Sequence, residues 1–168
     1  GHGTAIASVA AGSRLSGNRR FIGAAPDCNI VVVKLKPIKQ YLREYYLIPE
    51  DVPCYQETDL IQAIQYLQKF AVSLYSPLVI CLGVGTNLGD HSGVSVFARY
   101  LDLVMGRKSR AAVTCSGNEG NAAHHYHGEL TRQQPSQNVE IRVGGEMGGF
   151  VMDFWGGVPY IYTVTIRS

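Results

Sequence analysis

The chain has 168 residues, of which 46% are hydrophobic and 17% charged, so it has the size and composition of a globular domain with a sizeable core. Its 15 basic and 13 acidic residues leave a net charge of +2, which is too balanced to indicate a nucleic-acid partner or a membrane surface. No apolar run reaches the roughly 18 residues that a membrane-spanning helix needs. Composition therefore favours a globular protein with neither kind of partner.

The segment Gly1–Gly12 places a histidine between two glycines and ahead of a run of small apolar residues. Thr4 is the predicted helix N-cap. The apolar residues that follow recur at helical spacing and should form one buried face: Ala5, Ile6, Val9 and Ala10. A rigid helix would hold the imidazole of His2 at its mouth, which suits a general base, although a lone histidine at a helix start is more often a surface or capping residue.

Strand and helix patterns then alternate. A polar loop is predicted over 13–20, and short apolar runs predict buried strands over 29–35, 78–85 and 111–115. Helical spacing predicts one helix over about 58–74 and another within 93–106, the second burying Val96, Phe97, Tyr100, Leu101, Leu103 and Val104. Residues 36–58 are rich in Tyr and Pro and predict an ordered surface insertion that packs with its tyrosines. The alternation is typical of an α/β fold with a parallel sheet.

Two segments that suit a binding site follow predicted strands. Gly83–Gly85 ends the strand over 78–85, and Cys115–Asn121 follows the strand over 111–115. Since ligands of parallel α/β sheets bind beyond the carboxyl ends of the strands, both segments should face one site. From the residues alone, Gly83 and Gly85 are also compatible with a plain strand end, and Asn118 with a left-handed turn.

The cysteines and histidines give only weak evidence of a metal site. No cysteine pair has metal-ligand spacing, and Cys81 and Cys115 lie in apolar runs, which predicts reduced, buried thiols. His124, His125 and His127 invite a zinc interpretation, but their spacing fits no common zinc motif. We therefore expect a loop role for these histidines and no metal site.

The pattern changes from about Pro135. Polar and apolar residues alternate over 138–144, 149–155 and 160–166, with turn residues between these runs. This predicts three antiparallel strands, the start of a β-sandwich or jelly-roll module. The predicted organisation is an α/β domain over 1–134, followed by the first strands of a second domain over 135–168.

Two of these motifs together resemble those of the subtilisin-like serine proteases, the subtilases of peptidase family S8. Gly1–Gly12 resembles the histidine motif, in which His-Gly-Thr precedes a small apolar helix ending in Ala-Gly, and Cys115–Asn121 resembles the motif of the oxyanion asparagine. Gly83-Val84-Gly85 aligns with the family's Ser-Leu-Gly strand, with Gly and Val in place of Ser and Leu. The string Gly117–Tyr126 and the β-rich region after 138 are similar to the clostridial germination proteases, the Csp group, in which a jelly-roll domain lies between the oxyanion Asn and the catalytic Ser.

The resemblance implies a subtilisin-like parallel sheet and a serine endopeptidase in which His2 is the general base and Asn118 binds the oxyanion. It implies a substrate-binding strand at Gly83, Val84 and Gly85, with Ser116 and Gly117 as the facing wall of the pocket. Expected partners are a peptide or protein substrate and the enzyme's own propeptide. No cofactor is predicted; calcium is suggested by the family alone, as is an extracellular or spore-associated location.

The family's Asp motif precedes its histidine motif, and its Gly-Thr-Ser nucleophile motif follows the oxyanion Asn. Neither is found in these residues. The sequence therefore predicts an incomplete fragment that is inactive alone. The alternative is a pseudoprotease that binds a protein partner or signals in germination, since some Csp-group members have lost catalytic residues. A nucleotide-binding domain is disfavoured, because no Gly-x-Gly-x-x-Gly follows a strand at a helix start.

Overall fold

The computed structural model of the chain describes residues 1–14, 21–145 and 147–167. This part of the chain contains four helices and two strands, in the order α1 His2–Ala11, α2 Gln40–Tyr45, α3 Glu57–Ser73, β1 Leu78–Leu82, α4 Val96–Met105 and β2 Arg110–Thr114. The predicted α/β class is confirmed. The loop predicted over 13–20 lies largely outside the described residues.

A β1–α4–β2 unit forms the centre of the fold. The two strands pair in parallel, with Leu78 opposite Arg110 and Leu82 opposite Thr114, and α4 supplies the crossover that a parallel pair requires. The core contains Ile64 from α3, Ile80 from β1 and Val104 from α4. Helices α3 and α4 therefore cover the same face of the sheet.

The other face of the sheet is open in the described structure. Successive side chains of a strand point to opposite faces, so the neighbours of buried Ile80 point away from the helices. Val79 is 68% exposed and Val113 58% exposed, and Cys81 and Cys115 are exposed free thiols. The prediction that these two cysteines are buried is wrong, because no described element packs on this face.

Helix α4 shows which features the local sequence pattern predicts correctly and which it does not. Ser95 caps it by accepting a hydrogen bond from the backbone N–H of Ala98 at 3.1 Å. Four of the predicted core positions pack in the core: Phe97, Tyr100, Leu101 and Val104. Val96 and Leu103 are 73% and 69% exposed, so their prediction is wrong, since the helical repeat turns them to the opposite side.

Helix α1 begins earlier than predicted and is less buried. Its N-cap is Gly1 and its first residue is His2, so Thr4 lies inside the first turn and is not the cap. Of the predicted buried face, Ile6 is half-buried, whereas Ala5, Val9 and Ala10 are exposed. The expected burial is missing because no described helix or strand covers that side of α1.

The chain after residue 20 folds back on the end of α1. Gly23 donates its N–H to the carbonyl of Gly12 at 2.7 Å, and Ala24 and Ala25 donate to carbonyls of the last helical turn. A Cβ on Gly23 would collide with the backbone of Ala11 and Gly12. Glycine is therefore required there by the close approach of two backbone segments.

Residues 36–58 form an ordered excursion, but the prediction that its tyrosines pack is wrong for Tyr41 and Tyr45, which are 59% and 73% exposed. The side chain of Arg43, on the short helix α2, is buried and donates to the carbonyl oxygens of Pro49 and Val52. Ile38 donates its N–H to the carbonyl of Cys54 at 3.0 Å, which closes the base of the excursion. These bonds satisfy carbonyl groups that no regular element pairs.

Four predicted strands are wrong. In the described structure the runs 29–35, 138–144, 149–155 and 160–166 are not strands. A strand needs a partner for its backbone groups, and no described segment pairs with these runs. Next to the first run, the side chain of Lys36 forms an ion pair with Asp59 of α3 at 3.3 Å. The division into domains at 134 and 135 stays a prediction.

Candidate site at the carboxyl edge of the sheet

The loops that follow β1 and β2 start at the same edge of the sheet. The register ends with Leu82 opposite Thr114, so Gly83 and Cys115 leave the two strands at the same level. The predicted substrate strand Gly83–Gly85 and the predicted oxyanion segment Ser116–Asn118 therefore begin side by side. This edge is where a parallel sheet offers a binding site.

Helix α1 brings His2 to this edge. A Cβ on Gly83 would lie 2.8 Å from Cδ1 of Ile6 and 3.9 Å from Nε2 of His2. His2 and Ile6 are four residues apart and share one face of α1, so the first turn of the helix lies against Gly83, which directly follows β1. His2 is exposed, and its imidazole is therefore accessible to a ligand at the edge.

The predicted substrate segment is open to solvent. Gly83 and Gly85 are exposed, Val84 is half-buried, and a Cβ on Gly85 would meet no atom within 4 Å. The segment continues β1 beyond its paired residues. Gly85 is therefore accessible to a ligand at this edge.

The loop after β2 turns at a glycine. Gly117 has φ of 81°, in the left-handed region that favours glycine, and Ser116 and Asn118 on either side are exposed. The left-handed turn that the sequence allowed at Asn118 is therefore made at Gly117. The structure brings His2 to Gly83 and sets Asn118 on the adjacent strand end, and no hydrogen bond joins His2 and Asn118 among the described residues.

A polar cluster that the sequence did not predict lies next to Asn118. Asn87 donates its amide to Oε2 of Glu119 at 2.6 Å, and Nδ1 of His124 lies 3.1 Å from the same oxygen. Nδ1 must carry a proton, because otherwise its lone pair would face the carboxylate. The approach of 3.3 Å between Asn87 and His124 then reflects two donors that share one acceptor.

These donors change the acidity of Glu119. The hydrogen bond from Asn87, and after it the bond from His124, hold the pKa of this carboxyl below its ordinary value, against a small opposing effect of desolvation. Sequence spacing could not reveal the cluster, since Asn87 and Glu119 are 32 residues apart. The available hint is that Glu119 and His124 lie within the string Gly117–Tyr126, and that Asn87 lies two residues after Gly85.

Two further contacts tie the same region together. The rings of His91 and His125 meet edge-on with centroids 4.6 Å apart, and Gly89 donates its N–H to Oδ2 of Asp153 at 3.1 Å.

Within the described part of the chain, no group of three or more His, Cys, Asp or Glu side chains is arranged to hold a metal ion. The described helices also include none that is long and apolar enough to cross a membrane.

Comparison with solved structures gives an informative likeness. No protein-family model matches the chain, and no curated protein sequence matches it significantly. Among solved structures, the chain is similar to the CspB protease of Clostridium perfringens, with 27% identity and a TM-score of 0.61 over 74% of this chain. The match covers 24% of that protein, so the chain spans about a quarter of its length. The likeness supports a relationship to Csp-type proteases and a protease-like fold.

Proposed function

We propose that this chain is part of the catalytic domain of a subtilisin-like serine endopeptidase of family S8, with His2 as general base and Asn118 as oxyanion donor. The observation that carries the proposal is the structural likeness to the CspB protease. It is supported by the contact that sets Nε2 of His2 beside Gly83, at the edge where parallel sheets bind ligands.

The proposed reaction is the hydrolysis of a peptide bond through an acyl-enzyme. His2 takes the proton of a serine hydroxyl as the serine oxygen attacks the peptide carbonyl, and then returns it to the leaving amine. The side-chain amide of Asn118 donates a hydrogen bond to the oxyanion of the tetrahedral intermediate. The serine and the aspartate that orients His2 match no motif in these 168 residues, so a longer protein has to supply both.

The substrate would bind as an added strand. The exposed backbone of Gly83–Gly85 pairs with an extended peptide, which carries the scissile bond past His2. Ser116 and Gly117 form the facing wall of the pocket for the residue before that bond. Because Gly83 has no side chain, the substrate backbone can approach this strand more closely than it could with serine there.

A serine-directed phosphonate tests the proposal on the longest natural protein that contains this chain. We expect a covalent adduct by intact mass, and slow labelling when His2→Ala removes the base. The matched control is His127→Ala, which removes another exposed histidine and should label at the wild-type rate. Peptide hydrolysis by the same samples should follow the labelling.

A protein that takes no label would contradict the enzymatic proposal. If such a protein still bound peptides at the sheet edge, and if Gly85→Pro weakened that binding, the edge would serve a pseudoprotease instead. Proline removes the N–H that Gly85 could donate to an added strand, so this variant reports on peptide binding separately from catalysis.

A further inference from the structure

The loops after β1 and β2 are joined by two independent side-chain pairs. Asn87 of the first loop bonds Glu119 of the second at 2.6 Å, and His91 meets the ring of His125 at 4.6 Å. We call these two pairs the loop clamp. Because β1 and β2 end side by side, the loop clamp links the two loops just beyond the last backbone pairing of the strands.

Each of the two loops contains a residue in a left-handed backbone conformation. His91 has φ of 55° and Ala123 has φ of 54°, left-handed values that residues with a Cβ rarely adopt. Conformations of this kind persist when the surrounding structure holds them. The loop clamp and the bond between His124 and Glu119 lie next to these residues, as does the backbone hydrogen bond from Ala122 to the carbonyl of Glu119 at 2.9 Å.

The position of Glu119 gives the clamp a specific consequence. Glu119 directly follows Asn118, which in turn follows Gly117 in its left-handed conformation. Asn118 therefore lies between a glycine that makes a left-handed turn and a residue whose side chain is tethered. Fixing the Glu119 carboxylate to Asn87 limits how far the Asn118 backbone can rotate away from the end of β1.

Stability alone does not account for this arrangement. The side chains of Glu119 and His124 are 56% and 55% exposed, and ion pairs that open to water contribute little to folding. Such contacts can nonetheless select one orientation among several of similar energy. The loop clamp can therefore fix the spacing between the two loops beyond the paired strand ends.

We propose that Glu119, through its bonds with Asn87 and His124, is a positioning residue that sets the spacing between the Gly83–Gly85 strand and Asn118. The coupling of the loops is a property of the fold. Its catalytic consequence rests on the proposed function, because Asn118 matters to the rate only if it binds an oxyanion.

Hydrogen exchange tests the coupling without any assay of activity, on the longest natural protein that contains this chain. Glu119→Ala should speed amide exchange at 84–88, across the gap, as well as at 116–124. Glu119→Gln should restore most of the protection, because its carbonyl can still accept from Asn87. Glu140→Ala, at another exposed glutamate, should change neither segment. Faster exchange confined to 116–124 would overturn the proposal.

A double-mutant cycle tests the route through Asn118. Glu119→Ala should lower kcat about tenfold with little change in KM, and should have no further effect when Asn118→Ala is already present. Losses that multiply would show that Glu119 does not act through Asn118. A wild type that hydrolyses no peptide would defeat the proposed function, and hydrogen exchange would then decide the coupling by itself.

Discussion

Gly83 determines how close His2 can come to the end of β1. Any side chain at this position would meet Ile6 first, since the Cβ position lies 2.8 Å from Cδ1 of Ile6, and His2 next, at 3.9 Å from Nε2. The flexible end of Ile6 can give way to a methyl group. A branched side chain needs more room and would push the first turn of α1 outward.

Gly83→Val should therefore displace His2, whereas Gly85→Val should not, because a Cβ on Gly85 meets nothing within 4 Å. Both variants add the same branched residue to the same exposed segment, so they form a matched pair. We expect the imidazole resonances of His2 in NMR spectra to shift in the first variant only. Equal shifts in both variants would contradict the close approach of α1 to Gly83.

Glu119 should titrate below an ordinary glutamate, because Asn87 and then His124 donate to its charged form and lower its pKa. A folded-state pKa below the unfolded value means that these contacts are fully present above the unfolded pKa. They are lost as the pH falls through the folded one. Carboxyl NMR titration should show this, and Asn87→Ala should raise the pKa toward its ordinary value. A pKa that is unchanged in Asn87→Ala would contradict the bond.

At the scale of elements, the sequence predicts well what local pattern controls. The predictions of α3, α4, β1 and β2 hold within a few residues, because each has a clear period or a short apolar run and the four pack on one another. The run 29–35 looks equally strand-like but is not a strand. The pattern shows that the run is apolar. It does not show whether a neighbouring segment can pair with the backbone of the run.

The excursion 36–58 depends on one buried arginine. Removing the Arg43 side chain leaves the carbonyls of Pro49 and Val52 without their donor, which should cost about 1–3 kcal/mol in a half-buried setting. Arg43→Ala should therefore expose residues 47–54 to proteolysis and speed their amide exchange. Arg99→Ala, at an exposed arginine of α4, is the matched control. Equal protection in both variants would contradict this role.

At the scale of the whole molecule, the chain has a much larger solvent-accessible surface than a compact protein of its mass. The chain exposes 14385 Å² for a mass of 18.3 kDa. A compact monomer of this mass exposes about 8,100 Å². The excess includes the open sheet face and the outer side of α1, both of which carry apolar side chains. The core described here therefore has apolar faces that further polypeptide could cover.

Reactivity of Cys81 reports on the open sheet face. In a variant of the 168-residue chain that keeps Cys81 as its sole cysteine, the thiol should react readily with a disulfide reagent, since it is exposed. In the longest natural protein that contains the chain, we expect at least tenfold slower reaction, because added chain covers this face. A matched variant that keeps only Cys28, an exposed thiol outside the sheet, controls for reagent access. Equal Cys81 rates in the two proteins would contradict the covering.

The candidate site was predictable in its chemistry and less so in its geometry. Motif and strand order placed His2, Gly83 and Asn118 at one edge, and the structure brings the first two together. The cluster of Asn87, Glu119 and His124 could not be read from spacing, because it forms only when two distant loops meet. The roles of these residues in catalysis stay predictions.

The kcat of Asn118→Ala, measured on the longest natural protein that contains this chain, tests the central claim most directly. Loss of one oxyanion donor typically lowers kcat by about 10²–10³, and KM should change little because the bond forms in the transition state. Asn138→Ala, at an exposed asparagine far along the chain, is the control. An Asn118→Ala protein that turns over peptides as fast as this control would contradict the account.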